Sequence, residues 1–347
     1  MNSKLELLCI GNAIVDVFID IDPSCAEQHG VIQPAQHISR EQAEAILREP
    51  AAAGAVKISG GGAANAAKIA AMLGINAAFC GCTGQDEFAG IFEQGLAAAG
   101  VSAILTKSNE KTGVCLICNV DGENRFAANP GAALELTEAD VGEELISNAE
   151  AVVLDGYILE RRPLVQHILR LSSRRGIPAA LDAASVFQVK AKAEEILHYS
   201  RNFPLFIFMN ADEAIAFFNT IRKSREEEAN LSEREKESLI LRDVCPMLKI
   251  ITDGEIFPIV VVKLGGRGAV VVAGGNVYRE ETSALTSKNT VGAGDAFLAA
   301  FLAAWIRGKS LSGCAALGNK VARKVLEASG TIINAGKLKS FAKSLRK

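Results

Sequence analysis

Six short apolar runs punctuate the chain: LELLCI (5–10), AAFCGC (77–82), AVVLD (151–155), AALD (179–182), LFIFM (205–209) and IVVVK (259–263). A strand that is apolar along its whole length has to be covered on both faces, as in a buried parallel sheet. Helix-like segments at 66–74, 86–99, 162–175 and 190–199 stand between several of these runs. That alternation predicts a doubly wound α/β sheet. Two regions break the rhythm. Within 17–58 and 112–130, the runs VFIDID and GVCLICNVDGENRF alternate in a way that suits a half-exposed antiparallel sheet. They are expected to form a small flap over one end of the main sheet. No Pro/Gly/Ser linker or internal repeat divides the 347 residues, so a single domain over 1–347 is expected.

Composition narrows the class of partner. With 49% hydrophobic and 22% charged residues, the chain has the makings of a sizeable core, which excludes disorder and collagen. The net charge is −3 and no basic stripe stands out, which argues against nucleic acid or an anionic membrane surface. The longest apolar run, 296–306, has 11 residues, too few to span a bilayer. The start, MNSKLELLCIGN, lacks a signal-peptide pattern, so a cytoplasmic protein is expected. Eight cysteines are too sparse for a disulfide scaffold. Cys115 and Cys118 form a CxxC within a strand-like segment, where alternation sends them to opposite faces and leaves buried thiols as the expectation. In 222–243, 13 of 22 residues are charged, which a solvated helix or loop explains.

Two segments carry chemistry. In NTVGAGDAFLAAFLAAW (289–305), Gly292, Ala293 and Gly294 precede Asp295 and an apolar helix. Small residues let the backbone approach an anion, and the free N–H groups of a helix start point at it. A carboxylate at that positive end suits a group that accepts a proton from a hydroxyl. An ordinary helix start with an acid in its first turn gives the same pattern. In SGGGAANAAKIAAMLG (59–74), Gly60, Gly61 and Gly62 lead into a helix, and Asn65 offers a donor and an acceptor near its start. A dinucleotide fingerprint after the first strand and a Walker A motif are both absent from the sequence.

These two segments, in this order, resemble the two signatures of the pfkB family of carbohydrate kinases, also called the ribokinase family, and the likeness extends over nearly the whole chain. The resemblance implies a ribokinase-like, mainly parallel doubly wound sheet with a small antiparallel β lid. It implies an ATP-dependent kinase acting on a primary hydroxyl of a sugar or nucleoside. Asp295 would take the proton, and the amides of Gly292, Ala293 and Gly294 would meet the transferring phosphoryl group. GNAIVD (11–16) looks like the family's first strand, so Asn12 and Asp16, with Gly61, Gly62 and Asn65, would bind furanose hydroxyls. NADE (210–213) resembles the family's NxxE element, in which Asn210 and Glu213 would organise Mg2+ through water. VVKLGGRGAVV (261–271) is similar to the strand–turn–strand beside the nucleotide. There Gly265 and Gly268 would line the ATP site with Thr290 and Asn319, and Lys263 stands where Thr is usual.

HGVIQPAQHI, FCGCTGQDEFAGIF and TGVCLICNVDGENRFAANPGAA look closest to adenosine-kinase-like members. In that subgroup Tyr157 and Phe187 would flank a purine and Arg125 would serve as a lid arginine. The family's usual Asp near a monovalent-cation (K+) site is Asn289 here, which keeps an oxygen ligand and loses a charge. His29, His37, His167 and His198 match no catalytic position. The flap's exposed face is a surface through which a second subunit could pair, giving a homodimer through the lid. The rival reading, a non-catalytic sugar or nucleoside sensor, would be favoured by loss of Asp295 or of the glycine nest.

Overall fold

All six apolar runs become strands of one large sheet. The computed structural model describes residues 4–223, 231–253, 258–283, 292–327 and 338–345. Its strands in chain order begin with β1 (Leu7–Ile10), β2 (Ile14–Asp20), β3 (Ala35–His37), β4 (Val56–Gly60), β5 (Ala77–Thr83), β6 (Ser102–Lys107) and β7 (Gly113–Val120). They continue with β8 (Glu123–Asn129), β9 (Ala151–Asp155), β10 (Ala179–Asp182), β11 (Leu205–Asn210), β12 (Ile259–Lys263), β13 (Ala269–Ala273) and β14 (Asn276–Glu280). The large sheet has the order β14-β13-β12-β11-β10-β9-β1-β5-β6. It is parallel from β6 to β12 and antiparallel at β12–β13 and β13–β14. The edge strands β6 and β14 lie outside the apolar runs. Both are largely exposed and carry no all-apolar signal.

Burial on both faces is what the runs required. Leu7 and Cys9 enter one core and Leu8 and Ile10 the other. The first core packs under helices Gly62–Met72, Ala293–Ile306 and Leu311–Leu326, and the second under Arg162–Arg174, Val186–Asn202 and Ala211–Arg222. Phe208 meets Phe301 edge-to-face at 5.3 Å between ring centres, fixing helix 293–306 against β11. Helix 62–72 starts four residues before the expected 66, because its first turns are Ala63, Ala64, Ala66 and Ala67. Small residues give no periodic bulk to read, yet they let the helix lie close to the sheet.

The small sheet, β3-β8-β7-β2-β4, is mixed and not purely antiparallel as expected. Strands β2–β7 and β3–β8 run parallel, β2–β4 and β7–β8 antiparallel. Only β7 and β8 are joined by a two-residue turn, at Asp121 (φ 52°) and Gly122 (φ 87°), which forces opposite directions. The other strands arrive by longer connections that impose no direction. The sheet also begins at Ile14 and not at 17, which puts Asp16 on it.

Chain direction sets the site. From β1 the chain winds outward through β5 and β6, then returns to the opposite side of β1 through β9 to β12. A crevice opens at the carboxyl ends of the strands where the winding reverses. That point lies between β1 and β9. The charged stretch is less solvated than expected. Residues 224–230 fall outside the described residues, but helix Glu233–Leu239 buries Glu237 in ion pairs with Arg267 and Arg279. All eight cysteines are free. No helix among the described residues is long and apolar enough to cross a membrane.

Candidate active site

Four neighbouring strands end on a polar residue at the same edge: Asp155 on β9, Asp182 on β10, Asn210 on β11 and Lys263 on β12. Register pairs Asp182 with Asp155 and Asn210 with Lys263. All four open on a cleft of about 620 Å³. Helix 293–306 starts at the same cleft. Its N-cap, Gly292, has φ 79° and no side chain caps the first turn, whose residues Ala293, Gly294 and Asp295 line the cavity. Uncapped first-turn amides are ready donors for an anion.

Asp295 is held from the opposite signature. Asn65 Nδ2 donates to its Oδ2 at 3.0 Å. Gly62 lies between the two acids: a Cβ there would stand in ordinary contact with both, 3.5 Å from Asp295 Oδ1 and 3.6 Å from Asp155 Oδ2. Burial, and then the Asp182 charge, push the Asp295 carboxyl up to about 7, against the Asn65 hydrogen bond and Lys263. A carboxylate that titrates near neutrality can both take up and give back a proton.

At the root of the small sheet, the Asp16 carboxyl lies over Gly60, where a Cβ would come within 2.2 Å of it. Burial raises Asp16 to about 7, opposed by Lys68. Lys68 is lowered to about 8 by its own burial, against Asp16 and Asp295, and donates to Ser59 Oγ at 3.1 Å. Asn12 Oδ1 accepts from Arg161 Nη2 at 2.6 Å. Gly61, at φ 85°, passes so close to the Asn12 carbonyl that a Cβ would stand 2.6 Å from it.

On the other side, Asn210 and Glu213 form a reciprocal helix cap: Asn210 N donates to Glu213 Oε2 at 2.7 Å and Glu213 N to Asn210 Oδ1 at 2.9 Å. Burial and the Asp182 charge raise the Glu213 carboxyl. Gly265, Gly268 and Asn319 line the same cleft, and a Cβ on Gly268 would come within 2.1 Å of the Glu280 carbonyl. The oxygens of Asn210, Glu213 and Asp155 are hard donors that fit Mg2+. Away from the cleft, Cys25, His29 and Glu49 approach within 4.8 Å of one another, and a 2.7 Å contact between His29 Nε2 and Glu49 Oε1 accounts for the closest approach.

The cleft thus gathers Asp295, Ala293, Gly294, Gly62, Tyr157, Asn210, Glu213, Gly265, Gly268 and Asn319, with Asn65 bonded to Asp295. Asn12, Asp16 and Gly61 are packed beside it at the lid root. Two expected residues do not reach it. Phe187 is 72% exposed, because Gln188 and Val189 take the inward positions of the first turn and leave 187 facing out. Arg125 Nη1 donates to the Val31 carbonyl at 2.7 Å, within the lid. Asn289 and Thr290 lie outside the described residues.

Sequence reasoning missed Asp155, Asp182, Arg161, Lys68 and the cleft-lining Phe126, and it gave Lys263 no role. The two aspartates had a signal: each closes an apolar parallel strand, the position that faces a crevice. Arg161 and Lys68 had none.

Over residues 39–337 the chain matches the pfkB family of carbohydrate kinases. It is 23% identical to the adenosine kinase of Schizosaccharomyces pombe, across 95% of this chain and 97% of that one. The adenosine kinase of Schizophyllum commune is 24% identical, across 94% and 96%. The crystal structure of adenosine kinase from Sinorhizobium meliloti aligns with a TM-score of 0.81 at 27% identity, covering 99% of this chain and all (100%) of that one. With both signatures meeting at one cleft and the similarity running from end to end, the chain belongs to the pfkB family of carbohydrate kinases and resembles its adenosine-kinase-like members.

Proposed function

We propose that this kinase transfers the γ-phosphoryl group of ATP to a primary hydroxyl of a nucleoside, with adenosine preferred over a free sugar. The observation that carries the transfer is the half-buried Asp295 carboxylate in the uncapped first turn of helix 293–306, facing the cleft. In this reading Asp16, Asn12, Asn65, Gly61 and Gly62 hold the furanose hydroxyls beneath the lid. Asp295 takes the proton of the attacking hydroxyl, while the Gly292–Gly294 amides stabilise charge on the phosphoryl group. Gly265, Gly268, Thr290 and Asn319 flank the nucleotide. Bound Mg2+, for which Asn210 and Glu213 offer oxygen donors through water, would offset phosphate charge. Lid closure excludes water, the competing nucleophile. Exposed apolar side chains at the two edges of the lid, Ile32 at 61% and Val56 at 52% exposure, would meet a second copy. Turnover with and without K+ tests use of the cation site implied at Asn289. A sensor would be favoured by loss of Asp295 or of the nest, and the chain has both.

The preference for a nucleoside rests on two rings in the cleft, Tyr157 and Phe126, together with the end-to-end similarity to adenosine kinases. Stacking a base on a ring contributes about 1–3 kcal/mol. Tyr157→Ala is therefore expected to weaken adenosine binding by about 5- to 150-fold and ribose binding far less. Equal losses for both ligands by calorimetry, at unchanged melting temperature, would overturn the nucleoside preference and leave the kinase standing.

A further inference from the structure

The cleft is strongly acidic for a site that must admit a triphosphate. Asp155, Asp182, Glu213 and Asp295 all line it. Among the described lining residues the only basic side chains are Lys263 and Arg323. Arg323 is engaged at the rim, donating to Glu327 Oε1 at 3.2 Å and to the Ser283 carbonyl at 3.3 Å. Lys263 stands on the floor, its side chain 13% exposed. Its Nζ lies 3.3 Å from the point a Cβ on Gly294 would occupy, against the first turn that also carries Asp295.

The lysine is held by a built partner. Its Nζ donates to Asp182 Oδ2 at 3.0 Å, and the Ala184 amide donates to Asp182 Oδ1 at 3.1 Å. Ala184 adopts φ 68° to do so, a left-handed backbone that a non-glycine residue takes only under constraint. An ammonium has three N–H donors. Asp182 takes one, and no other protein acceptor for Lys263 is found among the described residues. Burial disfavours the charge, but Asp182 and Glu213 more than offset it and hold Lys263 above the usual lysine range.

We propose that Lys263, fixed by Asp182, is a catalytic cation that binds the transferring phosphoryl group directly, its remaining N–H donors converging with the Gly294 amide on the γ-phosphate oxygens. This rests on the kinase reading above. In the transfer, the acceptor oxygen bonds to the γ-phosphorus and the bond from that phosphorus to the bridging oxygen of ADP breaks. The hydroxyl proton goes to Asp295, and Lys263 keeps all of its protons. Its contribution is electrostatic, a fixed charge among acids that would otherwise repel the phosphate.

The test compares binding of ADP and of the non-hydrolysable triphosphate AMP-PNP, by calorimetry with Mg2+, and adds turnover. Lys263→Met alone strands the Asp182 charge, so Lys263→Met/Asp182→Asn serves as the folded control, with melting temperatures measured for each. The wild type is expected to bind AMP-PNP at least ten-fold tighter than the double variant does, with ADP affinity within about three-fold. Turnover should fall about 10²–10³-fold at little-changed acceptor KM, the usual effect of deleting one transition-state donor. Lys263→Arg should recover part of the AMP-PNP affinity. A folded double variant with unchanged AMP-PNP affinity and turnover would overturn the lysine's role and leave the kinase intact. Failure of the wild type to bind either nucleotide would overturn both.

Discussion

Asp295 loses solvation in the fold and sits near Asp182 and Asp155, so its charged form is disfavoured there. Its pKa in the fold, about 7, lies well above the ordinary aspartate value of 3.8, so between those values the folded state binds the extra proton. The resulting stability is complete below the unfolded pKa and is lost as pH rises through 7. Asp295→Asn should therefore raise the melting temperature at pH 8 by a few degrees, a gain that fades towards pH 4. Turnover of the same variant should drop about 10²–10⁴-fold because the amide cannot take the proton. Calorimetric scans at the two pH values check the first half, and a variant no more stable at pH 8 would contradict the buried-acid account. At this scale the residues of the glycine signatures were legible because small residues before a helix are a local pattern. The Lys263–Asp182 pair was not, since it joins residues 81 apart. Phe187 misled because helix phase, and not residue type, decides which way a first-turn side chain faces.

Among the elements, the junction of β4 with helix 62–72 couples lid and cleft. Gly60 lets the Asp16 carboxyl lie flat on the backbone, Gly61 passes the Asn12 carbonyl, and Gly62 lies between Asp295 and Asp155. Gly60→Ala would place a methyl 2.2 Å from the Asp16 carboxyl, which must then move. The expected outcome is an acceptor KM raised about ten-fold or more with ATP KM unchanged, because only the acceptor side is disturbed. Steady-state kinetics with each substrate varied in turn decides it, and an unaltered acceptor KM would detach Asp16 from the acceptor. The buried strands were legible as apolar runs. The exposed edges β6 and β14 were not, nor was the mixed direction of the lid strands, which long connections leave free.

For the whole molecule, the reversal of winding between β1 and β9 brings Asn65 and Asp295, 230 residues apart, into one hydrogen bond at the cleft. No local pattern encodes that meeting; it became readable only through the resemblance of both signatures, in order, to one family. On the proposed reading, this meeting point is where a phosphoryl group changes hands. Acceptor-dependent ADP formation by the purified protein, with ATP and Mg2+ and adenosine, ribose or fructose in turn, is the deciding measurement. ADP and adenosine 5′-monophosphate are expected in equal amounts with adenosine, with slower turnover on the free sugars and a rate at least about 10²-fold lower in Asp295→Asn. Acceptor-dependent turnover that persists undiminished in a folded Asp295→Asn variant, or no turnover with any of the three acceptors, would contradict it.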